Sequence, residues 1–166
     1  PLYSIDASFM IDDKIGYIIL NRFGASSKEE FRQAFESLKK QGMKDLILDL
    51  QSNGGGLMSA AIELADEFLP AGKEIVYTEG LHSPKMQNYS TAEGVFEKGK
   101  LVILIDEYSA SSSEILAGAI QDWDRGLIIG RRSFGKGLVQ RPIPLLDGSY
   151  LKLTISRYYT PSGRFI

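Results

Sequence analysis

Residues 46–69 read LILDLQSNGGGLMSAAIELADEFL, and this stretch decides the class of fold. Its first five residues, Leu46 to Leu50, form a short apolar run that is typical of a buried strand. A glycine-rich loop follows, and a helix is then predicted from Leu57 to Leu69, where Pro70 ends it. A buried strand, a tight loop and a helix in this order are the repeating unit of an α/β domain.

The same alternation continues toward both ends of the chain. A strand at Ile15–Arg22 precedes a helix that begins at Ser26 or Ser27, each with a glutamate three residues on, and that stops at Gly42. Further strands are predicted at Glu74–Tyr77, Leu101–Ile105, Leu127–Gly130, Leu138–Pro144 and Tyr150–Ser156, a helix at Ser111–Asp122, and a polar, irregular excursion at 78–100. We therefore expect one domain over residues 1–166, an α/β fold with a mostly parallel sheet covered by helices and an antiparallel β addition at the C-terminal end.

Composition excludes several classes of function. Hydrophobic residues make up 43% of the 166 residues and charged residues 24%, which excludes a disordered chain. A net charge of −2 gives no basic surface for nucleic acid, and the longest apolar runs are far too short for a transmembrane segment. The absence of cysteine excludes a thiolate nucleophile and cysteine-ligated zinc.

The acidic residues and the single histidine give no sign of a metal site. His82 lies in the polar excursion without an acidic neighbour, which favours a surface residue over the base of a Ser-His-Asp triad. Asp49, Asp106 and Asp122 stand at the ends of predicted elements, where bonding to turns and helix ends explains them. We expect neither a metal nor a cofactor.

Two loops that follow predicted strands present glycines and serines. Residues 51–56 (QSNGGG) place glycine N–H groups at a helix start, which suits an anion or oxyanion, although the same glycines suit a turn that needs positive φ. Residues 108–114 (YSASSSE) present hydroxyls at a strand–turn–helix junction, as a nucleophile elbow does, although serine is also a favoured helix N-cap. The residues alone leave both interpretations of each loop open.

A third loop, residues 130–137 (GRRSFGKG), matches the Gly-x-x-x-x-Gly-Lys pattern of phosphate-binding loops. Gly137 stands where a Ser or Thr would hold magnesium, and the next residues predict a strand instead of a helix, so a nucleotide site is disfavoured. Lys136, between two glycines, is expected instead to be partly desolvated, which favours the neutral amine that acts as a base. Arg131 and Arg132 add to this effect if they point inward, but a solvated loop face suits them better.

Taken in order, the three loops resemble those of serine peptidase family S41, the carboxyl-terminal processing or tail-specific proteases. The matching stretches are LILDL at 46–50 with the glycines through Leu57, SASSSEI at 109–115, AGA at 117–119, QD at 121–122, SFGKG at 133–137, VQ at 139–140 and RYYTPSGR at 157–164. The likeness runs from about Gly16 to the last residue. It implies a ClpP/crotonase-like core and peptide-bond hydrolysis by a serine with a lysine base.

The resemblance also implies roles for particular residues. Family spacing between nucleophile, lysine base and orienting glutamine selects Ser111, Lys136 and Gln140 in this sequence. Loss of Ser109 or Ser113 is expected to act only through helix capping, at a cost of about 1 kcal/mol of stability.

The oxyanion hole of the family uses the backbone N–H after the nucleophile, here that of Ser112, and a glycine of the glycine-rich loop. The pattern matches at Gly55, with Gly56 open as well. The family usually has Asn-Pro-Gly-Gly where this chain has Asn53-Gly54-Gly55-Gly56, so the donating glycine is not fixed by the match.

Family members also carry a peptide-binding PDZ domain, and nothing in this chain matches one. The resemblance implies such a domain upstream, a polypeptide substrate, and a place in the bacterial cell envelope or periplasm, or export. The expected function is a serine endopeptidase that cleaves unstructured or C-terminally tagged polypeptides through a Ser/Lys dyad oriented by Gln. The alternatives are an inactive ClpP/crotonase-like binding or scaffold module and a crotonase-like enzyme acting on acyl thioesters.

Overall fold

The computed structural model describes residues 2–91 and 94–166, which form two sheets and three helices. The strands are β1 (Ile5–Met10), β2 (Ile15–Leu20), β3 (Asp45–Asp49), β4 (Glu74–Gly80), β5 (Ser83–Tyr89), β6 (Leu101–Ile105), β7 (Leu127–Gly130), β8 (Leu138–Pro144) and β9 (Tyr150–Tyr159). The helices are α1 (Ser27–Lys40), α2 (Met58–Asp66) and α3 (Ser112–Asp122). None of these helices is long and apolar enough to cross a membrane.

The first sheet has the strand order β1-β2-β3-β6-β7. Its strands run parallel, except that β1 forms an antiparallel hairpin with β2. The mostly parallel sheet is therefore confirmed, while β1 lies outside the predicted elements. Side chains of β1 are exposed or half-buried, because it is an edge strand, and its sequence lacks the continuous apolar run of a buried strand.

The helices cover only one face of this sheet. Alternate residues of the inner strands, including Ile18, Leu48 and Ile103, are fully buried in the same core as the apolar sides of α1, α2 and α3. Their neighbours on the opposite face, such as Tyr17, Ile47 and Val102, are only half-buried. The expectation of a sheet covered by helices is correct for one face alone.

The second sheet is antiparallel, with the order β5-β4-β9-β8. The hairpin of β8 and β9 confirms the antiparallel addition at the C-terminal end. The predicted irregular excursion at 78–100 is wrong in part, because β4 continues to Gly80 and β5 occupies Ser83–Tyr89. Polar side chains suit β5 because it is an exposed edge strand, where Pro84 is also tolerated.

One helix ends earlier than its sequence predicts. The helix α2 stops at Asp66, and the backbone continues to Leu69 through tighter turns. In these turns the Glu67 N–H donates to the Leu64 carbonyl and the Phe68 N–H donates to the Ala65 carbonyl, three residues back in each case. Phe68 and Leu69 are nevertheless buried in the core, which explains why the apolar pattern runs beyond the helix.

Candidate active site

The carboxyl ends of β3, β6 and β7 lie side by side, so the three loops that follow them meet at one edge of the first sheet. The glycine-rich loop is held there by buried Asn53. The Nδ2 atom of Asn53 donates to the Leu20 carbonyl at 2.6 Å, its Oδ1 accepts from Gly55 N–H at 2.9 Å, and its carbonyl accepts from Ala110 N–H at 3.0 Å. One asparagine therefore fixes the glycine-rich loop against both β2 and the serine loop, residues 106–111 between β6 and α3.

A second link between these loops is the buried carboxylate of Asp106, which follows β6. It accepts hydrogen bonds from the backbone N–H groups of Ser52 at 2.9 Å, Tyr108 at 3.0 Å and Ser109 at 3.1 Å. Burial raises the pKa of Asp106, but these donors and the Ser109 hydroxyl outweigh it and hold the pKa below its ordinary value of 3.8. The element-end role predicted for this aspartate is confirmed.

Ser111 stands at the turn between the serine loop and α3, with φ 56° and ψ −110°. A non-glycine residue rarely adopts positive φ, and such strain persists where the surrounding structure enforces it. The turn has the strand–turn–helix arrangement of a nucleophile elbow. The Ser111 side chain is half-buried, whereas the neighbouring serines are buried.

The other three serines of residues 109–113 have structural hydrogen bonds. Their hydroxyls donate to backbone carbonyls on neighbouring segments: Ser109 to Leu50 at 2.7 Å, Ser112 to Gly56 at 3.1 Å and Ser113 to Asn53 at 2.8 Å. The expected capping role of Ser109 and Ser113 is therefore wrong. Ser109 lies three residues before the first helical residue and Ser113 lies inside the helix, so neither is placed to cap it. Their hydroxyls bond instead to Leu50, just after β3, and to Asn53.

Gly55 packs directly against the elbow. A Cβ atom added to Gly55 would lie 2.7 Å from the Ala110 carbonyl oxygen and 2.9 Å from Ser111 Cβ, and the φ of Gly55 is 96°. No other residue type fits this place without displacing the serine loop. The N–H group of Gly55 already donates to Asn53.

The N–H and carbonyl groups of Gly56 face the start of α3. The Gly55 carbonyl and the Leu57 N–H bond to Phe23 on one side, so the N–H and carbonyl of Gly56 point to the other side. There the Gly56 carbonyl accepts the Ser112 hydroxyl. Within residues 2–91 and 94–166, neither the Gly56 N–H nor the Ser112 N–H has an acceptor.

The lysine loop, residues 131–137, joins β7 to β8 and approaches the elbow through Glu114 in the first turn of α3. One carboxylate oxygen of Glu114 accepts the N–H groups of both Ser111, at 2.7 Å, and Lys136, at 2.8 Å. The backbones of the two candidate residues therefore meet at a single atom. Glu114 was absent from the predicted site, although Ser111 and Glu114 have the spacing of a capping box.

The structure does not bring the three predicted side chains together. Lys136 and Gln140 are both exposed, and no hydrogen bond joins the Lys136 amine to Ser111 or to Gln140. The predicted desolvation of Lys136 is wrong for this arrangement, because its glycine neighbours provide no side chain to cover it. Gln140 follows a β-bulge in β8 and pairs with Thr154.

The C-terminal segment, residues 160–166, lies beside the lysine loop and is fixed to α3 by Asp122. Arg164 forms an ion pair with the Asp122 carboxylate, and the Ser162 N–H donates to it at 2.9 Å. Burial raises the pKa of Asp122, but hydrogen bonds from Thr160, Ser162 and Arg164 outweigh it and lower the pKa below 3.8.

The remaining predicted residues lie outside this constellation. His82 is exposed in the turn between β4 and β5, as expected. Arg131 and Arg132 are exposed, and Arg131 pairs with Glu107 at 2.5 Å, which confirms the solvated loop face. The strand β8 follows the lysine loop, so the strand predicted in place of the helix of a phosphate-binding loop is confirmed. The described residues hold no group of three or more His, Cys, Asp or Glu placed to bind a metal ion.

Comparison with known proteins identifies a family and several relatives that this chain resembles over most of its length. The family model described as peptidase family S41 matches residues 14–166. The chain is 41% identical over 149 residues to a carboxyl-terminal-processing protease from Picosynechococcus, covering 90% of this chain and 36% of the relative. It is 39% identical over 152 residues to a chloroplastic C-terminal processing peptidase from Tetradesmus obliquus, covering 90% of this chain and 32% of the relative.

A solved structure, the photosystem II D1 C-terminal processing protease, is similar with a TM-score of 0.84 and 38% identity, covering 91% of this chain and 39% of that one. The chain thus spans about a third of the length of the curated relatives that it matches. Because the family model covers nearly all of the chain and the relatives are well above 30% identical, the chain belongs to peptidase family S41.

Proposed function

We propose that this chain is the core of a serine endopeptidase that hydrolyses unstructured or C-terminally tagged polypeptides. The observation that carries the proposal is the difference among the serines of residues 109–113. Three hydroxyls bond to backbone carbonyls, while Ser111 alone combines a strained backbone, partial exposure and a position against Gly55. Family membership and the names of the relatives support the same reaction.

In the proposed reaction, Lys136 takes the Ser111 hydroxyl proton as Ser111 Oγ attacks the carbonyl carbon of the scissile peptide. The C–N bond then breaks, the lysine proton passes to the leaving amine, and the acyl group stays on Ser111. Water, deprotonated by the same lysine, then attacks the acyl carbon. The ester C–O bond breaks, the lysine returns its proton to Ser111 Oγ, and the acid product leaves. The Lys136 amine has to come within about 3 Å of Ser111 Oγ, so its exposed side chain turns inward for the reaction, oriented by Gln140.

Backbone N–H groups stabilise the oxyanion in this proposal. The N–H of Ser112 is the first donor of α3 and has no intrahelical acceptor. As the second donor we favour Gly56, whose N–H has no acceptor in the described part of the chain, over Gly55, whose N–H is bound to Asn53. Gly55 then has the role of allowing the glycine-rich loop to approach Ser111.

Three further features belong to the proposal. A ClpP/crotonase-like core fits the parallel sheet with helices on one face and a small antiparallel sheet. A PDZ domain elsewhere in the same protein fits the share of the relatives that this chain leaves unmatched. Action on exported proteins, in the envelope or periplasm, fits relatives that are bacterial or chloroplastic.

The test is covalent labelling and hydrolysis by the protein as encoded. A fluorophosphonate should label the parent and Ser113→Ala at one residue but leave Ser111→Ala unlabelled, and only Ser111→Ala should fail to degrade an unstructured polypeptide. Labelling without hydrolysis of any peptide would favour an acyl transferase or thioesterase. Absence of both would favour the inactive binding module.

A further inference from the structure

Glu114 is a buried carboxylate that the proposed reaction does not use. Only 6% of the residue is exposed, although it lies one helical turn from Ser111. A buried carboxylate is costly unless it is paired or fully hydrogen-bonded. Glu114 forms no ion pair within the described residues, so its carboxylate is stabilised by hydrogen bonds and by its position in the first turn of α3.

These hydrogen bonds all come from backbone N–H groups of two different segments. Oε1 accepts from Gly135 at 2.6 Å, and Oε2 accepts from Lys136 at 2.8 Å and from Ser111 at 2.7 Å. Hydrogen bonds to an ionised acceptor are short and about twice as strong as neutral ones. The carboxylate therefore joins the peptide before the nucleophile to the two successive peptides that precede the proposed base.

Little else fixes this part of the lysine loop. Gly135 and Lys136 are exposed, and a cavity of about 420 Å³ borders the loop between α3 and the C-terminal segment. The nearest backbone anchors are Phe134 N–H, which donates to the Ser109 carbonyl at 3.0 Å, and the Gly137 carbonyl, which accepts from Tyr158. Between these two anchors, Glu114 provides the hydrogen bonds to the loop.

We propose that Glu114 is a positioning residue that sets the distance between Ser111 and Lys136. The inference rests on the proposed function, since it assigns the two residues to one reaction. The carboxylate does not touch the substrate. It holds the Lys136 backbone at a fixed distance from Ser111, so that a rotation of the lysine side chain alone brings the amine to the hydroxyl.

Glu114→Gln is the informative variant because it keeps the size of the side chain. An amide has a single acceptor oxygen, so its NH₂ group has to face N–H donors on one side, either at Gly135 or at Ser111 and Lys136. Glu114→Asp keeps the charge but is too short to span both segments. The matched control is Glu67→Gln, which alters another buried carboxylate, bound to Arg32 and far from these loops.

The measurements are amide hydrogen exchange at Gly135 and Lys136, and kcat and KM on one unstructured polypeptide, with the protein as encoded. In Glu114→Gln and Glu114→Asp, exchange at both amides should accelerate by about tenfold or more. The kcat should fall by about 100-fold, the effect of a misplacement of about 1 Å. The KM should stay within about threefold, because the carboxylate does not bind the peptide. Glu67→Gln should change stability but neither readout.

Three results would overturn the inference: unchanged exchange at Gly135 and Lys136, a kcat near that of the parent, or an equal loss of kcat in Glu67→Gln. If the parent itself hydrolyses no peptide, the proposed function fails, while the exchange rates still decide whether Glu114 holds the loop.

Discussion

Removing the Asp106 carboxylate should weaken the fold and the site together. Asp106→Ala leaves the N–H groups of Ser52 and Tyr108 without their acceptor, whereas Ser109 N–H keeps a second bond, to the Asp106 carbonyl at 3.1 Å. An unsatisfied donor costs about 1–3 kcal/mol. Ser52 and Tyr108 are exposed residues, so water partly replaces the carboxylate, and we expect the lower part of that range for each, about 2–4 kcal/mol in all.

Equilibrium unfolding in urea measures this cost. With a slope of about 2 kcal/mol/M, the midpoint of Asp106→Ala should fall by about 1–2 M. The control is Asp13→Ala, an exposed acid in the turn between β1 and β2, which should change stability by less than about 0.5 kcal/mol. Because the two loops lose their link, kcat should fall as well, while unfolding remains a single transition.

The difference in stability between the parent and Asp106→Ala should depend on pH in a defined direction. The pKa of Asp106 is lower in the folded protein than its ordinary 3.8, so the carboxylate stabilises the fold above about pH 4, and this contribution is lost as the pH falls through the folded pKa. The stability gap between parent and Asp106→Ala should be constant near neutral pH and shrink below about pH 4. A gap under about 0.5 kcal/mol at pH 7, or one that stays constant in acid, would refute the reasoning.

Substitutions at five other residues test the site. Ser111→Ala should abolish hydrolysis with little change in the melting temperature. Ser113→Ala should keep kcat but lower the melting temperature, measured by calorimetry, by about 2–4 °C, because one buried hydrogen bond is lost. Lys136→Arg should be as inactive as Lys136→Ala, because a guanidinium stays protonated, and substantial turnover by the arginine variant would place the base elsewhere. Gln140→Ala should lower kcat by less than the lysine variants do. Gly55→Ala should abolish turnover, because its Cβ would overlap the Ala110 carbonyl, and a parental kcat/KM would show that the loop adjusts freely.

The parallel sheet could be predicted because its inner strands have strong local signals. The inner strand β6, for example, has the bounds that its apolar run indicates. The edge strands β1 and β5 differ, since their exposed positions lack an apolar pattern and they form because a partner strand provides their hydrogen bonds. That partner is not visible in the local sequence.

For the candidate site, the sequence predicts which loops meet but not the hydrogen bonds that hold them together. Sequence order and strand order bring the loops at Gly55, Ser111 and Lys136 to one sheet edge. The hydrogen bonds that fix them were not predictable, because Asn53, Asp106 and Glu114 act on residues that are distant in sequence. The serine-to-glutamate spacing before α3 was an available signal for Glu114, but it is equally the signal of an ordinary helix cap.

The backbone of Ser111 places activity and stability in opposition at one position. A φ of 56° with a ψ of −110° suits glycine, and a side chain there raises the free energy of the folded chain by about 1–3 kcal/mol. Ser111→Gly should therefore yield an inactive protein that is harder to unfold than its parent, unlike Ser111→Ala, which keeps the strain. Engineering for thermal tolerance that screens only for folded yield will drift toward loss of this serine, so any such selection has to be tied to turnover.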